Sequence, residues 1–257
     1  MIGDNFMNEC LLKNDIAAVI LGAGKGTRMK SDLPKVMMPV AGKPMIRHIL
    51  DTLQTMNVAK IVTVISEEGD LVKKEVAPNP TVVQKEQLGT GHAVLCAEPE
   101  LKDFKGTVFV IFGDTPLIGA ETFYRTAQKV EEGYAVVVLG FVPEDAARYG
   151  RLKMQGEELV GIVEYKDATD EEKNITFCNS GCMGFDGRYL FQILNRIGNE
   201  NAAQEYYLTD AVKIARDMGL KCTAIKGDAK EVASANTREE LALLDTYYQE
   251  RKLEKAC

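Results

Sequence analysis

Between Leu21 and Met45 the chain reads LGAGKGTRMKSDLPKVMMPVAGKPM, a concentration of residue types that handle phosphate. Glycines alternate at Gly22, Gly24 and Gly26, Arg28 and Lys35 follow, and Pro34, Pro39 and Pro44 stiffen the exit. A glycine turn brings backbone N–H groups close to an anion because no Cβ stands in the way. Cations a short loop apart can then neutralise phosphate charge. The order of residues excludes two common phosphate loops. The dinucleotide fingerprint needs a glycine where Thr27 stands. Walker A needs Lys then Ser or Thr opening a helix, whereas Lys25 precedes Gly26 and the loop runs on through Ser31, Asp32 and Leu33 to Pro34. A residue before proline is pushed out of helical geometry, so this loop is expected to stay extended.

Two further stretches carry chemistry. The apolar run Val108–Phe112 ends in Gly113-Asp114-Thr115-Pro116. Asp-Thr-Pro serves equally as a turn former or as a carboxylate past a strand end, where a magnesium ion would face a bound triphosphate. Magnesium keeps several waters and takes one or two protein ligands plus phosphate oxygens. The second stretch is Gln84-Lys85-Glu86-Gln87-Leu88-Gly89-Thr90-Gly91-His92. An amide at Gln84 can pair with the donor and acceptor edge of a base, and Gly89 would let the chain pass close to its ring. His92 reads equally as a satisfied histidine at a helix start.

These residues need a scaffold. Apolar, β-rich runs recur at Ile16–Leu21, Ile61–Ile65, Thr81–Val83, Val108–Phe112 and Ala135–Val142. Helical patterns lie between them. Ile46, Ile49, Leu50 and Leu53 share one face, with Pro44 near the first turn, and Phe123, Ala127 and Val130 share another. Alternating strands and helices predict a largely parallel α/β sheet covered on both faces, with ligands beyond the carboxyl ends of the strands. The second half changes character. Leu152 and Met154 alternate with polar residues and are followed by a Gly156-Glu157-Glu158 turn and Leu159 to Val163, which reads as a hairpin with one wet face. Leu208, Ala211, Val212, Ala215 and Met218 predict a helix. Thr237 and Glu240 predict a capping box for a last helix carrying Leu241, Leu244 and Tyr248. No Pro/Gly/Ser-rich linker divides the halves, so a single domain is expected.

Bulk properties narrow the partners. At 46% hydrophobic and 27% charged, the 257-residue chain is globular in composition. A formal charge of −7 argues against wholesale nucleic-acid binding and suits a small phosphorylated ligand met by local cations. No apolar run approaches the ~18 residues of a membrane span, and Met1 to Asp15 does not read as a secretion signal. A cytoplasmic protein without membrane partners is expected. The six cysteines include no C-x-x-C pair, so reduced thiols are expected and zinc is not. Cys178 and Cys182, which bracket Asn179-Ser180-Gly181, read as small buried residues of a strand.

Taken in order, LxAGxGTRM, LPKVMMPVAGKPM, EQLGTGHA, GDTPLI, YGR, GIVEYKDAT, NSG and EYYLTD resemble a known family over nearly the whole span from Ile16 to the last helix. It is the N-terminal uridylyltransferase half of bacterial bifunctional N-acetylglucosamine-1-phosphate uridylyltransferase/glucosamine-1-phosphate acetyltransferase. The resemblance implies a Rossmann-like, mostly parallel mixed sheet, the nucleotide-diphospho-sugar transferase fold. Its halves would be residues 16–114 for the nucleotide and 115–236 for the sugar phosphate, with 237–257 a terminal helix. It implies that Leu21, Ala23 and Gly24 hold uridine through the backbone and that Gln84 reads uracil beside Gly89 and Thr90. Arg28 and Lys35 would hold the triphosphate and act in catalysis. Asp114 and Asn236 would ligate Mg²⁺, and Gly150, Glu164, Asn179 and Thr209 would line the sugar-phosphate pocket. The implied reaction is UTP plus N-acetylglucosamine 1-phosphate giving UDP-N-acetylglucosamine and pyrophosphate.

Three positions depart from the family pattern: Phe112 for tyrosine, Ser180 for threonine and Tyr165 for histidine. No hexapeptide repeat of the acetyltransferase β-helix is present, so acetyl transfer is expected to be absent. Two rival readings stay open at this point. One is a transferase for another sugar 1-phosphate, such as glucose 1-phosphate. The other is a non-catalytic nucleotide-sugar binder or split-enzyme subunit. Monomer and dimer are equally compatible with the sequence.

Overall fold

A computed structural model describes residues 14–24, 26, 29, 31–146 and 149–254. Arg28 lies outside the described residues, as do Lys25, Thr27, Cys10 and Cys257. The strands are β1 (Ile16–Leu21), β2 (Pro39–Val40), β3 (Lys43–Pro44), β4 (Lys60–Ile65), β5 (Thr81–Val83), β6 (Thr107–Phe112), β7 (Val136–Phe141), β8 (Arg151–Gln155), β9 (Glu158–Val163), β10 (Cys178–Asp186) and β11 (Cys222–Lys226). The helices are α1 (Met45–Thr55), α2 (Asp70–Val76), α3 (Thr90–Leu95), α4 (Glu98–Leu101), α5 (Ala120–Glu131), α6 (Asp170–Lys173), α7 (Gly187–Leu194), α8 (Asp210–Asp217) and α9 (Arg238–Glu254). A short 3₁₀ turn, Lys35–Met37, follows Pro34.

One mixed sheet of nine strands organises the molecule, in the order β11-β7-β10-β6-β1-β4-β5, with β8 added beside β10 and β9 beside β8. Pairs β1/β4, β1/β6, β4/β5 and β11/β7 are parallel. β10 runs antiparallel to both of its main neighbours, β6 and β7. Of the apolar runs read from the sequence, Thr81–Val83 (β5) is a partly exposed edge strand with Val83 44% exposed, while β1, β4, β6 and β7 are the buried strands. They are apolar on both faces because both faces are covered. Alternation sorts β1: Ala17 and Val19 pack toward α3, α7 and α8, while Ile16, Ala18 and Ile20 pack toward α1, α2 and α5. A third, smaller cluster joins Met29, Met38, Val40, Met45, Leu117 and Ala235 to Leu244 of α9.

The expected hairpin forms as β8 and β9 around Gly156, but its alternation breaks. The register shifts between the Lys153/Gly161 and Met154/Leu159 pairs, which leaves Val160 of β9 as the extra residue; Leu152 and Leu159 are buried, while Met154, next to the turn, is 36% exposed. The bulge reverses the alternation of β9 on either side of Val160, which lets both Leu159 and Ile162 face the side taken by Leu152. At the other end of β8, Arg151 is only 2% exposed. On α9 only Leu244 of the expected face is fully buried, with Leu241 and Tyr248 partly so.

Candidate active site

The carboxyl ends of β1, β4, β5 and β6 open on one edge of the sheet, and the described residues expected at the nucleotide and the metal gather there. Gly22 N donates to Val64 O at 2.8 Å and Gly113 N to Leu21 O at 2.9 Å, which ties the exits of β1, β4 and β6 together. A cavity of about 380 Å³ sits over them. Leu21, Ala23, Gly24, Lys35, Gln84, Gly89, Thr90, Asp114 and Asn236 all line it. Gly26 has φ +56°, and a Cβ there would stand 2.7 Å from Lys35 Cβ, so the glycine turn packs directly on the lysine stem.

At one wall of this cavity Lys35 Nζ donates to both Asp114 Oδ2 and Asn236 Oδ1, the latter at 2.7 Å. Lys35 and Asp114 are each 14% exposed, so the pair is screened from most solvent. Three separate elements deliver these groups: the turn after Pro34, the exit of β6 and the approach to α9. The last is held by the cap. Glu240 N donates to Thr237 Oγ1 (3.2 Å), and Glu240 Oε2 accepts from Asn236 N (2.6 Å). The carboxylate thus grips the residue before the N-cap, a variant of the expected box.

Among the described residues no group of three or more His, Cys, Asp or Glu side chains could cage a metal. A carboxylate and an amide oxygen nevertheless converge on one cationic point. Such hard oxygen donors suit magnesium, whose remaining positions water and phosphate fill.

Gln84 is 3% exposed. Its Nε2 donates to Gly89 O (3.1 Å) and lies 3.0 Å from His92 Nδ1, so His92 supports Gln84 from the first turn of α3. Gly89 adopts φ +115° with Tyr206 pressed against it: a Cβ would meet Tyr206 N and O at 2.7 Å. The close approach that requires this glycine is therefore to the 205–208 segment, where Tyr206 N donates to Leu88 O and Gly91 N to Tyr206 O (both 2.8 Å). Thr90 Oγ1 accepts from Leu208 N at 3.0 Å.

A second cavity of about 260 Å³ adjoins the first, sharing Thr90, Phe112 and Glu205 with it. Glu164, Asn179 and Thr209 line it. Thr209 Oγ1 donates to Glu164 Oε1 at 3.1 Å. Gly150 stands beside that carboxylate and accepts from Asn179 N at 2.9 Å. Burial pushes the Glu164 carboxyl above its ordinary value, the Thr209 bond opposes this, and Asp167 and Asp210 add to it. Burial, with Asp167 nearby, raises Asp210 as well, against Lys213. Burial likewise raises the thiols of Cys178 and Cys182, the latter to about 12. Both lie in β10 as the sequence reading expected.

Some lining residues were not singled out from sequence. Gln87, whose Nε2 donates to Ala23 O at 3.4 Å, and Glu205, common to both cavities, stand inside quoted motifs. Nothing in their types distinguished them from solvated polar residues.

Comparison with known proteins fits this geometry. Two relatives are bifunctional GlmU proteins. That of Rhodospirillum rubrum is 51% identical over 242 residues, 93% of this chain and 54% of the relative. That of Paramagnetospirillum magneticum is 46% identical over 248 residues, 96% of this chain and 55% of the relative. The chain thus spans about half the length of these curated relatives. A crystal structure from Bacillus anthracis, assigned as a glucose-1-phosphate thymidylyltransferase in complex with sucrose, shares the fold. It has a TM-score of 0.71 at 19% identity, over 90% of this chain and 94% of that one. Residues 18–162 match the MobA-like NTP transferase domain, and with more than half of its length inside that match the chain belongs to the MobA-like NTP transferase family and is a nucleotidyltransferase.

Proposed function

We propose that the chain transfers uridylyl from UTP to N-acetylglucosamine 1-phosphate, giving UDP-N-acetylglucosamine and pyrophosphate in a magnesium-dependent reaction. The observation that carries this reading is the convergence of Asp114 and Asn236 on Lys35 at the wall of one cavity that continues, past Phe112, into a second lined by Glu164, Asn179 and Thr209. Two anionic substrates laid along that double cavity would meet over the cationic point.

In the reaction, an oxygen of the sugar phosphate attacks the α-phosphorus of UTP. The bond from that phosphorus to the bridging oxygen breaks, and pyrophosphate leaves with the electron pair. The nucleophile is already ionised at neutral pH, so no general base is needed. The barrier lies in bringing two polyanions together, and positioning with charge neutralisation lowers it. Lys35 neutralises phosphate oxygens, and Arg28 would join it. Leu21, Ala23 and Gly24 present backbone to the nucleoside, and Gln84, Gly89 and Thr90 bound its base. Gly150, Glu164, Asn179 and Thr209 hold the sugar. Asp114 and Asn236 would hold magnesium, which supplies Lewis-acid neutralisation of the phosphates when bound.

Pyrophosphate release from a panel of nucleoside triphosphates against a panel of sugar 1-phosphates tests the reading. UTP with N-acetylglucosamine 1-phosphate should give the highest kcat/KM, abolished by chelation of divalent cations. Preference for glucose 1-phosphate would overturn the acceptor. Tight binding of UDP-sugars with no turnover would make the chain a binding subunit.

A further inference from the structure

Among the described residues, Arg151 is the most deeply buried charged side chain of the sugar-side lobe, at 2% exposure, and its partners are unusual. A guanidinium is a planar cation with a fixed fork of donors, and burying one ordinarily calls for a carboxylate. Among the described residues, the partners of this one are carbonyl oxygens, a thiol and a ring. Nη1 donates to Tyr149 O. Nε and Nη2 both reach Lys173 O at 3.3 Å, and Cys178 Sγ lies 3.8 Å from Nη1. The Tyr165 ring lies 5.8 Å from Cζ, within cation–π range.

The neighbours of these partners matter more than the partners. Tyr149 precedes Gly150, Tyr165 follows Glu164 and Cys178 precedes Asn179. The backbone repeats the arrangement, since Arg151 pairs across the sheet with Val163 on one side and Cys178 on the other. Asn179 N also donates to Gly150 O at 2.9 Å. One guanidinium is therefore one residue away from each of three acceptor-pocket positions that lie on separate strands or loops.

We propose that Arg151 is a positioning residue for the acceptor pocket, holding Gly150, Glu164 and Asn179 in mutual register without touching substrate. The inference rests on the functional reading above. Carbonyl bonds to a cation are charge-assisted and directional. Losing the fork frees three chain segments from one another while leaving the nucleotide cavity, built on other strands, as it was.

Steady-state kinetics of Arg151→Met and Arg151→Lys test it. In Arg151→Met the KM for the sugar phosphate should rise about tenfold or more, with the KM for UTP within about twofold. Arg151→Lys should recover part of the loss, because an ammonium keeps the charge but cannot fork to two carbonyls. Thr169→Ala provides a second approach should Arg151→Met fail to fold. Thr169 is exposed and caps α6, accepting from Glu172 N at 3.2 Å, and α6 ends at the Lys173 carbonyl. This variant should raise the sugar-phosphate KM by about threefold, again sparing UTP. Unchanged sugar-phosphate KM in the folded variants overturns the inference, as does a loss of kcat that tracks active fraction with both KM values fixed. A wild-type protein inactive toward every sugar phosphate overturns the functional reading and this inference with it. That result is distinct from an active wild type whose KM ratio does not move in the variants.

Discussion

In the proposed mechanism Lys35 is the central residue, because two oxygen acceptors from distant parts of the chain meet on its amine. Lys35→Ala leaves those acceptors facing one another without the cation, and Asp114→Ala removes the carboxylate. Each variant should lower turnover by about 10²–10³, the cost of losing one preorganised charge-stabilising group. Pyrophosphate release together with far-UV circular dichroism checks this, and full turnover in a folded variant removes that residue from the mechanism. Glu164 offers a different handle. Its folded value is raised, chiefly by burial, so between the ordinary glutamate range and that raised value the folded protein binds more protons than the unfolded chain. Stability contributed at this position is therefore greatest at low pH and falls as pH climbs through the window. Glu164→Gln should flatten that slope. The remainder belongs to Asp210, which is raised in the same sense. Parallel melting curves of wild type and variant across pH would show that the carboxyl is not held in a desolvated site.

At the scale of elements, α9 matters less for its own packing than for what its first turn carries. Leu244 is its one fully buried side chain, yet the cap fixes Asn236 through Glu240. Glu240→Ala should cost about 0.5–2 kcal/mol of stability, as loss of a cap does. It should also lower turnover by more than about tenfold, since misplacing a positioned group by a small distance is expensive. Thermal melting and pyrophosphate release measure the two effects, and reduced stability with unaltered turnover would detach α9 from the chemistry. The cap was legible as Thr237 and Glu240, and the parallel strands as Val/Ile runs, because both are local patterns. The short apolar run Leu190–Leu194 of α7 was not, since five residues do not separate helix from strand by periodicity. β11 was missed for the same reason. The exposure of Met154 and the bulge at Val160 of β9 were not legible, because a strict period of two shows neither a bulge nor where a hairpin leaves the core. In the site, glycines, cations and Asp114 stood out by type. Asn236 would have passed for loop punctuation without the resemblance, and Glu205 and Gln87 looked like surface.

Across the whole molecule the decisive feature is the place of β10. This strand comes from the second half of the chain, yet it lies between β6 of the first half and β7, hydrogen-bonded antiparallel to both. Unfolding either half alone would strip β10 or β6 of its partner and open both core layers, since Val108 and Val110 of β6 face one cluster and Phe109 and Ile111 the other. An exposed central edge of that kind is costly, because its backbone groups lose their bonds along with the apolar cover. The two halves should therefore unfold together. Leu50 of α1 and Leu194 of α7 lie in the two clusters on opposite faces, and both are fully buried. Each Leu→Ala change should cost about 2–5 kcal/mol. The double variant should add to within about 0.5 kcal/mol, because the sheet separates the sites. Denaturant titrations followed by far-UV circular dichroism and by tyrosine emission, the chain having no tryptophan, should superimpose for all three variants. If Leu50→Ala shifted an early transition and Leu194→Ala a separate later one, the nucleotide and sugar-phosphate halves would be independent folding units, and β10 would not couple them.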